Sequence, residues 1–157
     1  MKLKNEYRQT VIDTLKCYSL LVAHIDDLVK QLAEVMINDG VVAIDYSGDG
    51  IKTNSINKLV ENTALKNIED TILLKEKIEN ANGKLSRLNA AINTLELLQK
   101  EIVIYKYIRG YAWEDIKKET NYSIRMCQRK LNKAVEKIAY IFYGDRAFEY
   151  EVVDNFE

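Results

Sequence analysis

Residues 123 to 133 read SIRMCQRKLNK, a stretch with four cations and no acid. Arginine and glutamine can form paired hydrogen bonds with guanine and adenine edges, whereas lysine and the free amides of a helix start neutralise phosphate. On a helix opened by Ser123, the residues Ile124, Cys127, Leu131, Ala134, Val135, Ile138 and Ile141 would point inward. That leaves Ser123, Arg125, Met126, Gln128, Arg129, Lys130 and Lys133 as a candidate surface for double-stranded DNA, with Asn132 beside them. Arg125 and Arg129 are four residues apart, so one turn presents both guanidinium groups to the same groove. Lys130 and Lys133 lie further along and are expected to meet phosphate.

No other constellation supports chemistry. His24 is the only histidine, which excludes a histidine cluster for zinc or catalysis. The acidic pairs Asp26-Asp27 and Glu69-Asp70 are adjacent in sequence and diverge on a helix. Gly48-Asp49-Gly50 is not followed by the lysine and hydroxyl residue of a phosphate loop. Cys127 reads as a small buried apolar residue. Tyr105, Tyr107, Tyr111, Tyr140 and Tyr143 read as packing residues rather than a stacking platform for single strands. An enzyme, a cofactor site and a metal site are therefore not expected.

The elements that must position the basic face are readable from breakers and spacing. Leu95, Leu98, Ile102, Tyr105 and Ile108 recur at helical intervals up to Gly110, which can close a helix in the left-handed conformation. Ala112 to Thr120 then forms a short helix buried through Trp113, Ile116 and the stem of Lys117, before a turn at Asn121-Tyr122-Ser123. Short helix, tight turn, capping serine and long basic helix is the order of a helix-turn-helix, whose second helix enters the major groove by its first turns.

Upstream, Val11, Leu15, Tyr18, Val22, Ile25, Val29, Leu32 and Met36 alternate in steps of four and three, with Leu21, Leu28 and Val35 widening the stripe. This seven-residue repeat predicts one long helix over about Asn5 to Ile37. Thr71, Leu74, Ile78, Ala81, Leu85, Leu88, Ile92 and Leu95 supply a second seam on a helix opened by Ser55, with Gly83 as a bend or break. Between them, residues 38–55 carry Gly40, Gly48 and Gly50 and read as a flexible connector. The expectation is an all-α chain. Residues 1–94 would form a long coiled-coil-like helical hairpin and oligomerisation region, 95–144 a helix-turn-helix domain and 145–157 an acidic tail. Seams pairing between chains would give a homo-oligomer, and the segment from about Lys84 to Gly144 is expected to fold alone.

Composition agrees. The 157 residues are 47% hydrophobic and 30% charged, a globular balance, and the absence of proline leaves long helices uninterrupted. The net charge of -1 conceals an asymmetry. Residues 1–99 carry 12 basic and 14 acidic side chains, 100–140 carry 10 and 5, and 141–157 carry 1 and 5. A basic block followed by an acidic end suggests a local polyanion-binding surface. Two distant cysteines on apolar stripes suggest a reduced cytoplasmic chain, and no run of about 18 apolar residues suggests a membrane span.

The run LLQKEIVIYKYIRGYAWEDIKKETNYSIRMCQRKLNKAVEKI, residues 97–138, resembles region 4 of bacterial sigma factors: a glutamate-containing helix closed at a glycine, a short helix with an acidic-isoleucine pair, and a serine opening the recognition helix. The usual Glu-Ile pair appears here as Asp115-Ile116. Trp113, Tyr122-Ser123 and the segment IAYIFYG at 138–144 are similar to phage and prophage late-gene transcription regulators of the RinA and ArpU type, in which a helical region and polar loop precede the same motif. The resemblance implies a sequence-specific transcription regulator of phage or prophage genes that binds promoter DNA through Ser123 to Lys133, with RNA polymerase as a further partner. No segment resembles the part of a sigma factor that melts the promoter. Two other readings use the same features: a DNA-packaging protein akin to a small terminase subunit, and a helical adaptor whose basic face binds an acidic protein.

Overall fold

The computed structural model describes residues 1–40 and 53–149, with side chains described for 1–37 and 64–149. The chain is all-α, with a single pair of two-residue strands among the described residues. In chain order the elements are β1 (Lys2–Leu3), α1 (Asn5–Lys16), α2 (Tyr18–Gly40), α3 (Thr53–Asn93), α4 (Leu97–Val103), a π-helical turn (Ile104–Ile108), α5 (Trp113–Thr120), α6 (Ile124–Tyr143), a 3-10 turn (Gly144–Ala147) and β2 (Phe148–Glu149). The expected connector is shorter at both ends, because α2 continues to Gly40 and α3 begins at Thr53, ahead of Ser55. Residues 41–52, and the acidic end from 150 onward, lie outside the described residues.

The first expected helix is two helices. Cys17 interrupts it, donating its amide to Asp13 O, and α1 and α2 fall on either side. The repeat conceals this break because apolar residues keep helical spacing across it. What differs is their partner: Val11 and Leu15 are completely buried in a core that also contains Ile102, Ile116, Leu131, Val135 and Ile138. The chain accordingly divides into one compact unit made of Met1–Leu20 with the chain from Leu85, and another made of Leu21–Lys84.

In the first unit, α6 packs against α1, α4 and α5. The C-terminal part of α3 contributes Leu88, Ala91 and Ile92, and Leu95 follows them into the same core. β1 and β2 pair antiparallel, Lys2 opposite Glu149 and Leu3 opposite Phe148, and the Lys4 amide donates to Ala147 O at 2.9 Å. Residues 145–149, expected as tail, are thus part of the folded unit. The Tyr18 hydroxyl bonds Asn89 Oδ1 at 3.1 Å, and Arg87 lies over the Phe142 ring at 4.8 Å while donating to Phe142 O at 2.8 Å. That guanidinium satisfies one of the carbonyls left open at the end of α6.

In the second unit, Ile25 and Leu28 of α2 and Leu74 and Ala81 of α3 are buried. Val29 and Met36, expected on the seam, are 48% and 59% exposed, and the buried line runs through Leu28 instead. Leu32 and Val35 are half-buried. Gln31, Glu34 and Val35 share a groove with Asp70, Leu73, Leu74 and Lys77. α3 continues through Gly83 without a break.

Because α1 fills the core of the first unit, a fragment from Lys84 to Gly144 would expose the apolar surface that Leu3, Val11 and Leu15 cover. This changes the expectation that such a fragment folds alone. Leu15→Ala should destabilise the protein by about 2 to 5 kcal/mol, as measured by urea unfolding. Fragment 84–144 should lack a cooperative transition, whereas a fragment covering 85–149 with residues 1–20 supplied as a peptide should recover helical circular dichroism.

Candidate nucleic-acid interface

The basic face depends on how α6 starts and how it is held. Ser123 is extended (φ -65°, ψ 149°), and its Oγ accepts the Met126 amide at 3.3 Å, satisfying one open donor of the first turn. Asn121 ends α5 in the left-handed conformation (φ 57°, ψ 22°), which asparagine tolerates better than most residues. Ile116 and Thr120 are buried on α5. The Thr120 hydroxyl bonds Ile116 O at 2.7 Å and lies 3.5 Å from the sulfur of buried Cys127, joining the end of α5 to the second turn of α6. Lys117, whose stem was expected to pack, is exposed, and Thr120 takes the buried place.

The preceding turn is equally fixed. Arg109 N donates to Ile104 O at 2.8 Å, the wider spacing of a π-helix, and Gly110 at φ 72° lets Tyr111 N reach Tyr105 O at 2.8 Å. The Tyr105 and Tyr111 rings stack with centroids 5.4 Å apart. Two cations of the basic block rest on aromatic faces, Lys106 over Trp113 at 4.8 Å and Arg109 over Tyr105 at 5.5 Å. Burial raises the Tyr107 phenol above its ordinary 10.0, against the opposing charge of Arg8.

Along α6, Cys127, Leu131, Ala134, Val135 and Ile138 are buried, Ile124 is half-buried, and Arg125, Met126, Gln128, Arg129, Asn132 and Lys133 are exposed beside exposed Ser123. One inward residue was misplaced: Ile141 is 42% exposed, while Ala139 is buried and Phe142 is half-buried under Arg87. No acid occupies the first turn of α6, so the positive end of its dipole is unopposed from within the helix. Among the described residues, no ion pair or hydrogen bond engages the side chains of Arg125, Arg129 or Lys133. Met126, Arg129, Lys130 and Lys133 line one shallow concavity.

Lys130 differs from its neighbours. It is half-buried, and its ammonium lies 3.1 Å from Glu96 Oε2 at the start of α4. Lys137, seven residues later on α6, lies 3.2 Å from the other oxygen, Oε1, and 3.1 Å from Gln99 Oε1. Gln99 is buried, and its Oε1 also accepts the Glu96 amide at 3.4 Å. Sequence reasoning missed Glu96, because a partner 34 residues away in the chain leaves no local signal. It also missed Arg8 of α1, which donates to Asn132 Oδ1 at 3.1 Å and pairs with Glu136 at 3.5 Å. The seven-residue interval between Lys130 and Lys137 is the one local hint that they share a side of α6.

Among the described residues no group of three or more His, Cys, Asp or Glu could hold a metal ion, and no helix is long and apolar enough to cross a membrane. No family model, curated protein or solved structure matches the chain.

Hydrogen bonds from Lys130 and Lys137, with their charges, hold the Glu96 carboxyl below its ordinary 4.5. A depressed acid pKa means that the bridge is intact above 4.5 and is lost as pH falls through the lowered value. A carbon-detected titration should therefore place the Glu96 carboxyl midpoint below 4.5, and Lys137→Ala should move it upward. An unchanged midpoint in that variant would show that Lys137 does not engage the carboxylate in solution.

Proposed function

We propose that the chain is a sequence-specific double-stranded DNA-binding regulator of transcription that uses α5, the turn at Asn121 to Ser123 and α6 as a helix-turn-helix. The observation that carries this reading is the exposed side of α6, where Arg125, Gln128, Arg129 and Lys133 project from a helix whose opposite stripe is buried and whose first turn holds no acid. The first turns of α6 enter the major groove, where Arg125, Gln128 and Arg129 read base edges. Lys133 and the capped helix start meet phosphate. The resemblance to RinA- and ArpU-type regulators supports phage or prophage genes as the target and the cytoplasm as the compartment. α2 and α3 act as the bracing or oligomerising part, a role supported by the apolar residues Val29, Met36, Ile68 and Ile72 that remain exposed on them.

Selection of genomic fragments by the purified protein, followed by sequencing, should yield a common motif. On that motif, Arg129→Ala should cost about 1 to 3 kcal/mol and relax preference at one base pair. Lys133→Ala should weaken every duplex alike and flatten the salt dependence by about one unit. Mobility shifts over a salt series with the selected site and a scrambled duplex separate the two effects. Equal binding of parent and both variants to all duplexes would remove α6 as the DNA-reading element and leave the protein-binding adaptor as the better reading.

A further inference from the structure

Glu96 spans two lysines with its two oxygens, Oε2 to Lys130 at 3.1 Å and Oε1 to Lys137 at 3.2 Å. The carboxylate is the only acid paired with either lysine among the described residues, and it sits at the surface, with its side chain 56% exposed. A phosphodiester has the same recognition chemistry, one negative charge shared by two oxygens on one atom, and lysine binds it as a point charge. The second fixed acceptor for Lys137, Gln99 Oε1, belongs to a buried side chain, so this ammonium stays anchored whether or not the carboxylate is present. Lys130 also lines the shallow concavity with Met126, Arg129 and Lys133, so the clamp adjoins the face assigned to DNA.

We propose that Lys130 and Lys137 form a backbone-phosphate clamp that Glu96 occupies in the free protein and yields to a DNA phosphodiester on binding. The clamp rests on the DNA-binding reading above and extends it by one residue, Lys137, and by one competitor, Glu96. No covalent change is involved: an exposed carboxylate is exchanged for a phosphate, and Glu96 swings into water, giving up its place in the capping box with Gln99 at the start of α4. Exchange is feasible because an exposed ion pair is held weakly in water. Glu96 thereby lowers affinity for any duplex without favouring a sequence, since the contact it blocks is to the backbone.

The test uses the full chain, the selected duplex and a scrambled duplex, with binding measured over a salt series. Glu96→Gln keeps the side-chain length at the start of α4 and should bind both duplexes severalfold more tightly. Lys137→Gln should lower the slope of log affinity against log salt by about one unit, as the loss of one phosphate contact requires. The Glu96→Gln gain should shrink when Lys137→Gln is added, because the two residues act through one clamp. Glu79→Gln, which removes the same charge from α3, serves as the control for net charge. Thermal unfolding of each variant checks that the fold is kept. Binding by the parent that neither Glu96→Gln nor Lys137→Gln alters would overturn the clamp alone, as would an equal gain from Glu79→Gln. Absence of duplex binding by parent and Glu96→Gln alike would overturn the DNA reading and the clamp together.

Discussion

Burial of one stripe of α6, from Cys127 through Leu131, Ala134 and Val135 to Ile138, sets the rotation of that helix and hence the identity of its exposed residues. Each larger side chain on the stripe contributes about 1.5 to 3 kcal/mol on leaving water. Turning the helix by one residue, about 100°, would put Gln128 in the place of Cys127 or Lys130 in the place of Leu131. An unpaired amide or ammonium in that core would cost several kcal/mol, so the apolar side excludes the alternative rotations. The basic face exists because the opposite stripe has only one place to go. Three partners supply that place: α1 and α4 along the length, and α5 at the start.

Electrostatics then divides the cations of the block into groups with different roles. Lys106 and Arg109 lie on tyrosine and tryptophan rings and stiffen the turn before α5. Lys130 and Lys137 are tied to Glu96, and Arg8 ties α1 to Asn132 and Glu136. Arg125, Arg129 and Lys133 have no such tether. Holding a long side chain in one geometry costs conformational entropy, so untethered cations on an ordered helix are suited to a partner that supplies its own acceptors. A regular array of phosphates and base edges is such a partner.

How much of this was legible follows from the range of each interaction. The order α5, turn, α6 was readable because its determinants are local: Gly110 and Asn121 take positive φ, Ser123 caps, and the apolar interval from Cys127 to Ile138 is helical. Six of the seven candidate residues are exposed, as the local pattern alone predicts, and Lys130 is half-buried beside Glu96, a residue outside that pattern. The break at Cys17 was not readable, since Leu15, Tyr18 and Val22 keep helical spacing across it. Nor was the pairing of Leu3 with Phe148, 145 residues apart, because a two-residue strand has no period of its own. Ile141 keeps the helical interval and is nevertheless 42% exposed, while Phe142 beside it lies under Arg87, a tertiary contact that leaves no signal in the repeat.

The placement of Glu96 connects these levels. It precedes α4, whose Gln99, Ile102 and Val103 are buried, so the carboxylate is carried by an element that the core already holds in place. Its partners project from α6, whose rotation the same core determines. The bridge therefore needs no charge to be buried and no further ordering of backbone, and it gives correspondingly little net stability. A contact of this kind is poorly explained as a fastening between helices that are already packed through Ile102, Val103, Leu131 and Val135. Besides closing a capping box with Gln99 at the start of α4, Glu96 acts on the surface: it sets one negative charge between a lysine at the edge of the exposed face and one beyond it, while Arg125, Arg129 and Lys133 remain open. The charge exposed along α6 is then set in part by a residue at the start of α4.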